Sequence, residues 1–234
     1  MIFFDLDETL FDFKAAEYLA VNDFFTQCVE QSKLNADDFY QLWCEVGKTH
    51  FDRFLRGELT FEQQKIERVQ EIFHRSGVQL SDVHAQEYFQ IYLNCFEENW
   101  KTFDDVIPAL TALGNHRLGI ITNGDSAQQR QKLEKIGIID YFQVIVTAGD
   151  IGISKPNTEI FEYACRLAEE NPADCYYVGD NMDSDIIPCE KIKMRGIWLN
   201  RKNKNKNHTR TINNMEELQN YFINESVTSK SGLV

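Results

Sequence analysis

Residues 2–10 read IFFDLDETL, an apolar run that ends in two carboxylates with a hydroxyl close behind. The run predicts a buried β-strand. Side chains two residues apart on extended backbone point the same way, so Asp5 and Asp7 are expected to share one small volume. Ligands of open α/β sheets bind at this carboxyl end of the strands. Two close carboxylates repel unless a cation or a shared proton relieves them, so the stretch predicts a charged site; a surface acidic turn is the alternative for this segment alone.

A second polar strand end lies in residues 118–124, which read LGIITNG. The apolar run predicts another strand, and its end offers the Thr122 hydroxyl together with backbone N–H groups around Asn123 and Gly124. Such groups bind a phosphate oxygen as a helix N-terminus does. An ordinary Asn-Gly turn followed by a helix cap is the alternative here.

A lysine and an acidic cluster complete the set. Residues 151–156 (IGISKP) place Lys155 in an otherwise uncharged loop, where a lone lysine is commonly solvated surface. Residues 176–186 (YYVGDNMDSDI) again predict a strand, followed by a glycine and a group of acidic residues. Its three carboxylates are Asp180, Asp183 and Asp185. Because parallel strands end at the same edge of a sheet, these groups are expected to lie near the first two aspartates.

A bound cation would relieve the repulsion among these carboxylates. Calcium in an EF-hand loop needs glycine at the sixth position and glutamate at the twelfth. Counting from Asp180, those positions hold Asp185 and Lys191, so that site is excluded. Magnesium needs hard oxygen ligands, takes only one or two carboxylates from protein and leaves positions for a phosphate. Mg²⁺ is therefore the expected cofactor.

Together the four segments resemble the hydrolases of the haloacid dehalogenase-like superfamily. That family carries a DxDxT motif, a strand ending in Thr or Ser, a lysine, and a GDxxxxD motif. In this chain the motifs read Asp5-Leu6-Asp7-Glu8-Thr9, Thr122-Asn123-Gly124, Lys155-Pro156 and Gly179-Asp180 through Asp185, in the family's order. The wider stretch 4–13 (FDLDETLFDF) resembles the branch of pyrimidine 5′-nucleotidases and related small phosphatases.

The resemblance implies how two aspartates would divide the chemistry. Asp5 would attack phosphorus and form an aspartyl-phosphate. Asp7 would protonate the leaving alcohol and then deprotonate the water that hydrolyses the intermediate. A carboxylate nucleophile splits the reaction into two easier displacements, and a positioned general acid/base typically contributes ~10²–10⁴-fold.

The resemblance also implies which residues bind the metal and the phosphate. The metal ligands would be the Asp5 carboxylate, the Asp7 main-chain carbonyl and Asp180. The groups on phosphate oxygens would be Thr122, Asn123, Gly124 and Lys155. Thr9 and Asp185 would support the site, Asp185 by pairing with Lys155. Whether Asp183 or Asp185 touches the metal directly stays open.

The expected activity is magnesium-dependent hydrolysis of a phosphomonoester, either a nucleoside monophosphate or a sugar phosphate. Within the same superfamily, dehalogenases lack the second aspartate and need no metal, so Asp7 and Asp180 argue against that activity. A sugar phosphomutase stays open, although the glycine that this family places after the second aspartate is Glu8 here. A phosphoryl-ligand-binding protein with little turnover is the alternative outside enzymes.

Chain organisation predicts two domains. The interval 14–103 is too long for a loop, and its apolar residues recur at helical spacing, which predicts an inserted, all-helical cap. Breaks between its helices are expected at Gly57 with Thr60 and at Gly77 with Ser81. The core is expected at 1–13 and 104–222, as a doubly wound α/β fold with one parallel, Rossmann-like sheet. Five strands are predicted, at 2–5, 118–122, 144–147, 176–178 and 196–199. Residues 223–234 are expected to form a flexible tail.

Composition limits the partners. A net charge of −13 disfavours binding to nucleic acid polymers or anionic membranes, so the basic stretch 201–210 is expected to be a solvated loop. Six cysteines without metal spacing favour reduced thiols in a cytoplasmic protein, and no apolar run approaches ~18 residues. The expected partner is a small phosphorylated metabolite, bound by a monomer or a homodimer.

Overall fold

The computed structural model describes residues 1–29, 34–204 and 208–222. The predicted tail at 223–234 therefore lies outside the described residues. The chain divides into two compact units, one comprising Met1–Asp12 with Lys101–Val234 and the other comprising Phe13–Trp100. In the described part of the chain, no helix combines the length and the apolar character that crossing a membrane requires.

The first unit is built on a six-stranded sheet in which every neighbouring pair is parallel. Its strands are β1 Ile2–Phe4, β2 Leu118–Thr122, β3 Val144–Thr147, β4 Tyr176–Gly179, β5 Arg195–Leu199 and β6 Thr211–Ile212, in the order β3-β2-β1-β4-β5-β6. This confirms the doubly wound parallel sheet, and each of the five predicted strands is present within one residue at either end.

Five strands were predicted, whereas the sheet has six, and the missed strand is β6. β6 has only two residues, and it follows a polar stretch that gave no apolar run. The strand exists because β5 offers a free edge, on which Trp198 aligns with Thr211 and Leu199 with Ile212. A pairing this short depends on its neighbour rather than on its own sequence.

In its described residues, the second unit contains four helices: α1 Phe13–Cys28, α2 Ala36–Leu55, α3 Phe61–Arg75 and α4 Asp82–Glu98. The expected breaks are confirmed. Thr60 caps α3 by accepting from the Gln63 N–H, and Ser81 caps α4 by accepting from the His84 N–H. A side-chain oxygen at this position satisfies one of the N–H groups that a helix start leaves unpaired.

The first unit also contains the helices that flank its sheet. They are α5 Val106–Ala112, α6 Ser126–Lys135, α7 Ala148–Ile151, α8 Glu159–Leu167, α9 Ile187–Lys191 and α10 at 215–222, with a one-turn π-helix at Met182–Ile186. Side chains from the sheet and from α8 share one buried core, which includes Phe3, Ile121, Val146, Phe161 and Tyr177.

The strand order places β1 in the middle of the sheet. Phe4 aligns with Ile120 on one side and with Val178 on the other. β2 and β3 extend the sheet on one side of β1, and β4, β5 and β6, which come later in the chain, extend it on the other side. This reversal is the topological switch point at which α/β sheets bind ligands, and the carboxyl ends of β1, β2 and β4 meet there.

Candidate active site

Asp5 directly follows β1, and its carboxylate is held by two donors. Oδ1 accepts from Lys155 Nζ at 2.6 Å, and Oδ2 accepts from Thr9 Oγ1 at 3.3 Å. The backbone N–H of Asp5 donates to the Val178 carbonyl at 2.9 Å and ties the residue to β4. Burial raises the pKa of Asp5 to about 8; Lys155 acts against this rise, whereas Asp185 adds to it.

Lys155 is buried, with only 4% of its surface exposed, so it is not the solvated lysine that a lone cation commonly is. Its Nζ lies 2.6 Å from Asp5 Oδ1, 2.7 Å from Asp185 Oδ1 and 2.9 Å from the Tyr177 hydroxyl. Burial acts to lower the pKa of Lys155, but the two carboxylates outweigh it and hold that pKa above its ordinary value. The lysine is therefore a fixed ammonium that joins β1 to the end of β4.

The acidic segment after β4 contributes two carboxylates. Ligand oxygens of Asp5, Asp180 and Asp185 all lie within 4.8 Å of one another. Asp185 is buried and accepts from the Asn181 N–H at 3.0 Å. Asp183 is exposed and is not part of this group. Gly179 allows the close approach, because a Cβ there would lie 2.6 Å from Asp185 Oδ2.

The charge balance of this group fits a divalent cation. Burial, and then the neighbouring Asp185 and Glu8, raise the pKa of Asp180 to about 6. The pKa of Asp5 is raised as well, and the Lys155 ammonium is a single positive charge beside three carboxylates, of which Asp5 and Asp185 are buried. Hard oxygen donors in excess negative charge are the setting in which proteins hold Mg²⁺. The donor set therefore fits magnesium.

The end of β2 contributes Thr122, Asn123 and Gly124. Thr122 is buried, and its hydroxyl donates to the Asn123 carbonyl at 3.2 Å. The Asn123 side chain bonds the backbone of Lys155. Around Asn123, only the backbone N–H groups are therefore candidates for contacts with a phosphate. Gly124 has φ +117°, a conformation that favours glycine, so the turn after β2 depends on this residue.

The Asp7 carboxylate contacts helix α6. Its Oδ1 accepts from Lys132 Nζ at 2.6 Å, and its Oδ2 accepts from Gln129 Nε2 at 3.0 Å. Sequence reasoning missed both partners. Gln129 and Lys132 are three residues apart and share one face of α6, but nothing in the sequence marks that face as the one that meets Asp7.

A loop after β5 contacts the segment that follows β1. The guanidinium of Arg201 donates to the Thr9 carbonyl at 3.0 Å and to both carboxylate oxygens of Asp105, at 2.8 and 2.9 Å. Lys202 Nζ lies 2.5 Å from Glu8 Oε2. The expectation of a solvated loop was therefore wrong for Arg201, whose side chain is only 15% exposed. Residues 205–207 of that stretch lie outside the described residues.

A parallel α/β sheet with aspartates after its central strand, a buried lysine beside Asp5 and a polar turn on the adjacent strand defines a doubly wound α/β protein with its ligand site at the carboxyl ends of the strands. Residues 1–192 match the haloacid dehalogenase-like hydrolase family, and the chain belongs to that family. The resemblance seen in the four motifs is thereby confirmed.

Individual relatives match along most of the chain. It is 31% identical over 225 residues to pyrimidine 5′-nucleotidase YjjG of Escherichia coli, covering 93% of this chain and 95% of that protein. It is 26% identical over 205 residues to human N-acylneuraminate-9-phosphatase, covering 86% and 82%. The crystal structure of the putative HAD-hydrolase YfnB of Bacillus subtilis, bound to magnesium, superposes with a TM-score of 0.81 at 26% identity, covering 94% and 96%.

Proposed function

We propose that this protein is a magnesium-dependent phosphomonoester hydrolase that acts on a small phosphorylated metabolite through an aspartyl-phosphate on Asp5. The observation that carries the proposal is the setting of the Asp5 carboxylate. It follows the central strand, bonds Lys155 at 2.6 Å and lies in one group with Asp180 and Asp185. A buried carboxylate at a strand end is a suitable nucleophile for phosphorus once the surrounding charge is balanced.

In the first step, an oxygen of Asp5 forms a bond to phosphorus while the bond from phosphorus to the ester oxygen breaks. The departing alcohol takes a proton from Asp7. In the second step, Asp7 accepts a proton from water, the water oxygen attacks phosphorus, and the Asp5 carboxylate is released with inorganic phosphate. Both steps need a group that can give and take a proton beside the nucleophile.

Phosphoryl transfer depends mainly on positioning and on positive charge. The Lys155 ammonium and the Thr122 hydroxyl are the candidates for contacts with phosphate oxygens, together with backbone N–H groups around Asn123 and Gly124. The residues that would hold Mg²⁺ are Asp5, through its carboxylate, Asp7, through its main-chain carbonyl, and Asp180, with Asp185 beside them. When bound, the ion supplies positive charge that offsets the carboxylates and the phosphate.

The names of the relatives support a choice of substrates to test. One relative is named a pyrimidine 5′-nucleotidase and another an N-acylneuraminate-9-phosphatase. The match to the nucleotidase extends over 93% of this chain, so it includes most of the helical unit as well as the sheet. Nucleoside monophosphates are therefore the first substrates to test, and sugar phosphates the second.

The test is phosphate release from nucleoside monophosphates, sugar phosphates and an aryl phosphate, with and without magnesium, and with Asp5→Asn as the blank. We expect release that requires magnesium and is absent in the blank. Release that persists in Asp5→Asn would overturn the proposed nucleophile. Transfer of phosphate between sugar positions without net release would identify a mutase instead, and tight ester binding without turnover would identify a binding protein.

A further inference from the structure

The Asp7 carboxylate is bonded on both oxygens by side chains of one helix. Lys132 Nζ lies 2.6 Å from Oδ1, and Gln129 Nε2 lies 3.0 Å from Oδ2. We infer that Lys132 and Gln129 are positioning residues that hold the Asp7 carboxylate in the orientation from which it exchanges protons with the leaving group. The inference rests on the proposed function, in which Asp7 is the general acid/base.

Lys132 is a charged residue in a buried position. Its side chain is 3% exposed, and its ammonium lies 4.6 Å from the centre of the Phe11 ring. A buried ammonium is costly unless a carboxylate and hydrogen bonds compensate it. The side chain of Asp7, by contrast, is 33% exposed. The pair thus consists of a fixed buried cation and a carboxylate that keeps a solvent-facing side.

Gln129 joins Asp7 to the end of β2. Its Nε2 lies within hydrogen-bonding distance of three acceptors: Asp7 Oδ2 at 3.0 Å, Thr122 Oγ1 at 3.0 Å and the Asn123 carbonyl at 2.7 Å. Within the described residues, its Oε1 is buried without a hydrogen-bond partner, which costs free energy. The amide nitrogen therefore ties the proposed acid/base to the turn that is proposed to hold phosphate, and the amide oxygen is left unpaired.

Helix α6 gives both residues a rigid base. The Asp125 side chain caps its first turn by accepting from the Gln128 N–H at 3.0 Å, and the three-residue spacing puts Gln129 and Lys132 on one face. Positioning groups on a helix fix a reacting side chain more closely than groups on a loop do. A free aspartate would sample several rotamers, whereas this clamp of two donors selects one.

The effect on kcat/KM of losing these two donors should depend on the leaving group of the substrate. An alkyl ester, such as a nucleoside monophosphate, needs its leaving oxygen protonated, whereas a 4-nitrophenyl ester leaves as a stable anion. The ratio kcat/KM reports the steps up to departure of the alcohol, so it does not include the later attack by water. Displacing Asp7 should therefore lower kcat/KM for the alkyl ester and leave it nearly unchanged for the aryl ester.

The experiment compares wild type, Lys132→Met, Lys132→Arg and the control Lys135→Met, which makes the same change at an exposed position of α6. For Lys132→Met we expect kcat/KM to fall about tenfold or more with the nucleoside monophosphate, and less than about threefold with 4-nitrophenyl phosphate. Lys132→Arg keeps the charge and should recover part of the loss. Lys135→Met should match wild type with both substrates.

Equal losses on both substrates would overturn the inference, because a general disturbance of the site does not distinguish leaving groups. Unchanged values on both would overturn it as well. If Lys132→Met does not fold, Gln129→Leu is used instead, with Gln131→Leu as its exposed control on α6. Gln129 also bonds the turn after β2, so both substrates should lose activity, and the inference requires a loss at least about threefold larger for the nucleoside monophosphate. Failure of the proposed function is separate: wild type would then show no hydrolysis that Asp5→Asn abolishes, and the inference would fall with it.

Discussion

The side chain of Asn123 bonds the backbone of Lys155 on both sides of that residue. Its Oδ1 accepts from the Lys155 N–H at 2.8 Å, and its Nδ2 donates to the Lys155 carbonyl at 3.1 Å. An asparagine at the end of β2 thus fixes the loop that carries the lysine to Asp5. The turn after β2 and the lysine loop form one structure.

Asn123→Ala should loosen this loop and reduce activity. Two backbone groups of Lys155 would lose their partner, at a cost of about 1–3 kcal/mol of unfolding free energy, and the ammonium would be held less closely against Asp5. We expect kcat to fall and urea unfolding to occur at a lower concentration. Asn157→Ala, at an exposed position of the same loop, is the control: it loses a bond to the Glu159 N–H and some stability, but its kcat should match wild type. Equal kcat values for the two variants would contradict the role of Asn123.

Asp5→Asn should abolish turnover while the fold persists. The substitution removes the attacking carboxylate but keeps the volume, and Lys155 retains Asp185 at 2.7 Å as a counter-charge. Phosphate release should fall to the blank rate, and the circular dichroism spectrum and melting temperature should stay close to wild type. A variant with even a tenth of the wild-type rate would exclude Asp5 as the nucleophile.

Asp180→Asn should weaken magnesium binding. Removing one of three clustered carboxylates takes away a charged ligand for the ion. In wild type, saturating magnesium should raise the melting temperature, because a ligand that binds only the folded state stabilises it. The rise should be much smaller in Asp180→Asn, which a calorimetric titration can verify. Asp183→Asn changes an exposed neighbour outside the group; if it matched the loss in Asp180→Asn, the assignment would be wrong.

The Asp105 ion pair should contribute to stability in a pH-dependent way. Burial acts to raise the pKa of Asp105, but the hydrogen bonds from Arg201 and from the Met215 N–H outweigh it and hold that pKa below its ordinary value. A lowered folded-state pKa means that the stabilisation is present above the unfolded-state pKa and is lost as pH falls through the folded-state pKa. We expect Asp105→Ala to destabilise the protein by about 1–3 kcal/mol at neutral pH.

Urea unfolding of wild type and Asp105→Ala across a pH series checks this. The difference between them should be largest at neutral pH and should shrink as the pH falls below the ordinary aspartate range. Ser184→Ala in the same series controls for a polar-to-alanine change outside the pair. A difference that did not change with pH would show that packing, rather than charge, accounts for the loss.

Much of the candidate site could be predicted from sequence because its residues follow buried strands. Asp5, Thr122 and Asp180 each come directly at or after a strand end, and parallel topology brings those ends together whatever the packing details. Lys155 was found through its motif, but its burial was not visible, since a lysine in a loop is exposed in most proteins.

The partners of Asp7 could not be predicted in the same way. Helix α6 is polar along most of its length, so no apolar stripe marks which side faces inward. The burial of Lys132 depends on the Phe11 ring and on Asp7, which are distant in the chain. Arg201 was missed for a related reason: a basic, asparagine-rich stretch has the composition of a loop, and only the tertiary structure brings Asp105 to it.

The central place of β1 has a consequence for how the protein folds. Phe4 acquires its two neighbours, Ile120 and Val178, only from segments far along the chain, and contacts of such long range form late. Until β4 is available, the apolar residues of β1 keep one edge open, which is a hazard for aggregation. A ribosome-bound fragment that ends before residue 176 should therefore engage chaperones and lack phosphatase activity, however well its helices have formed.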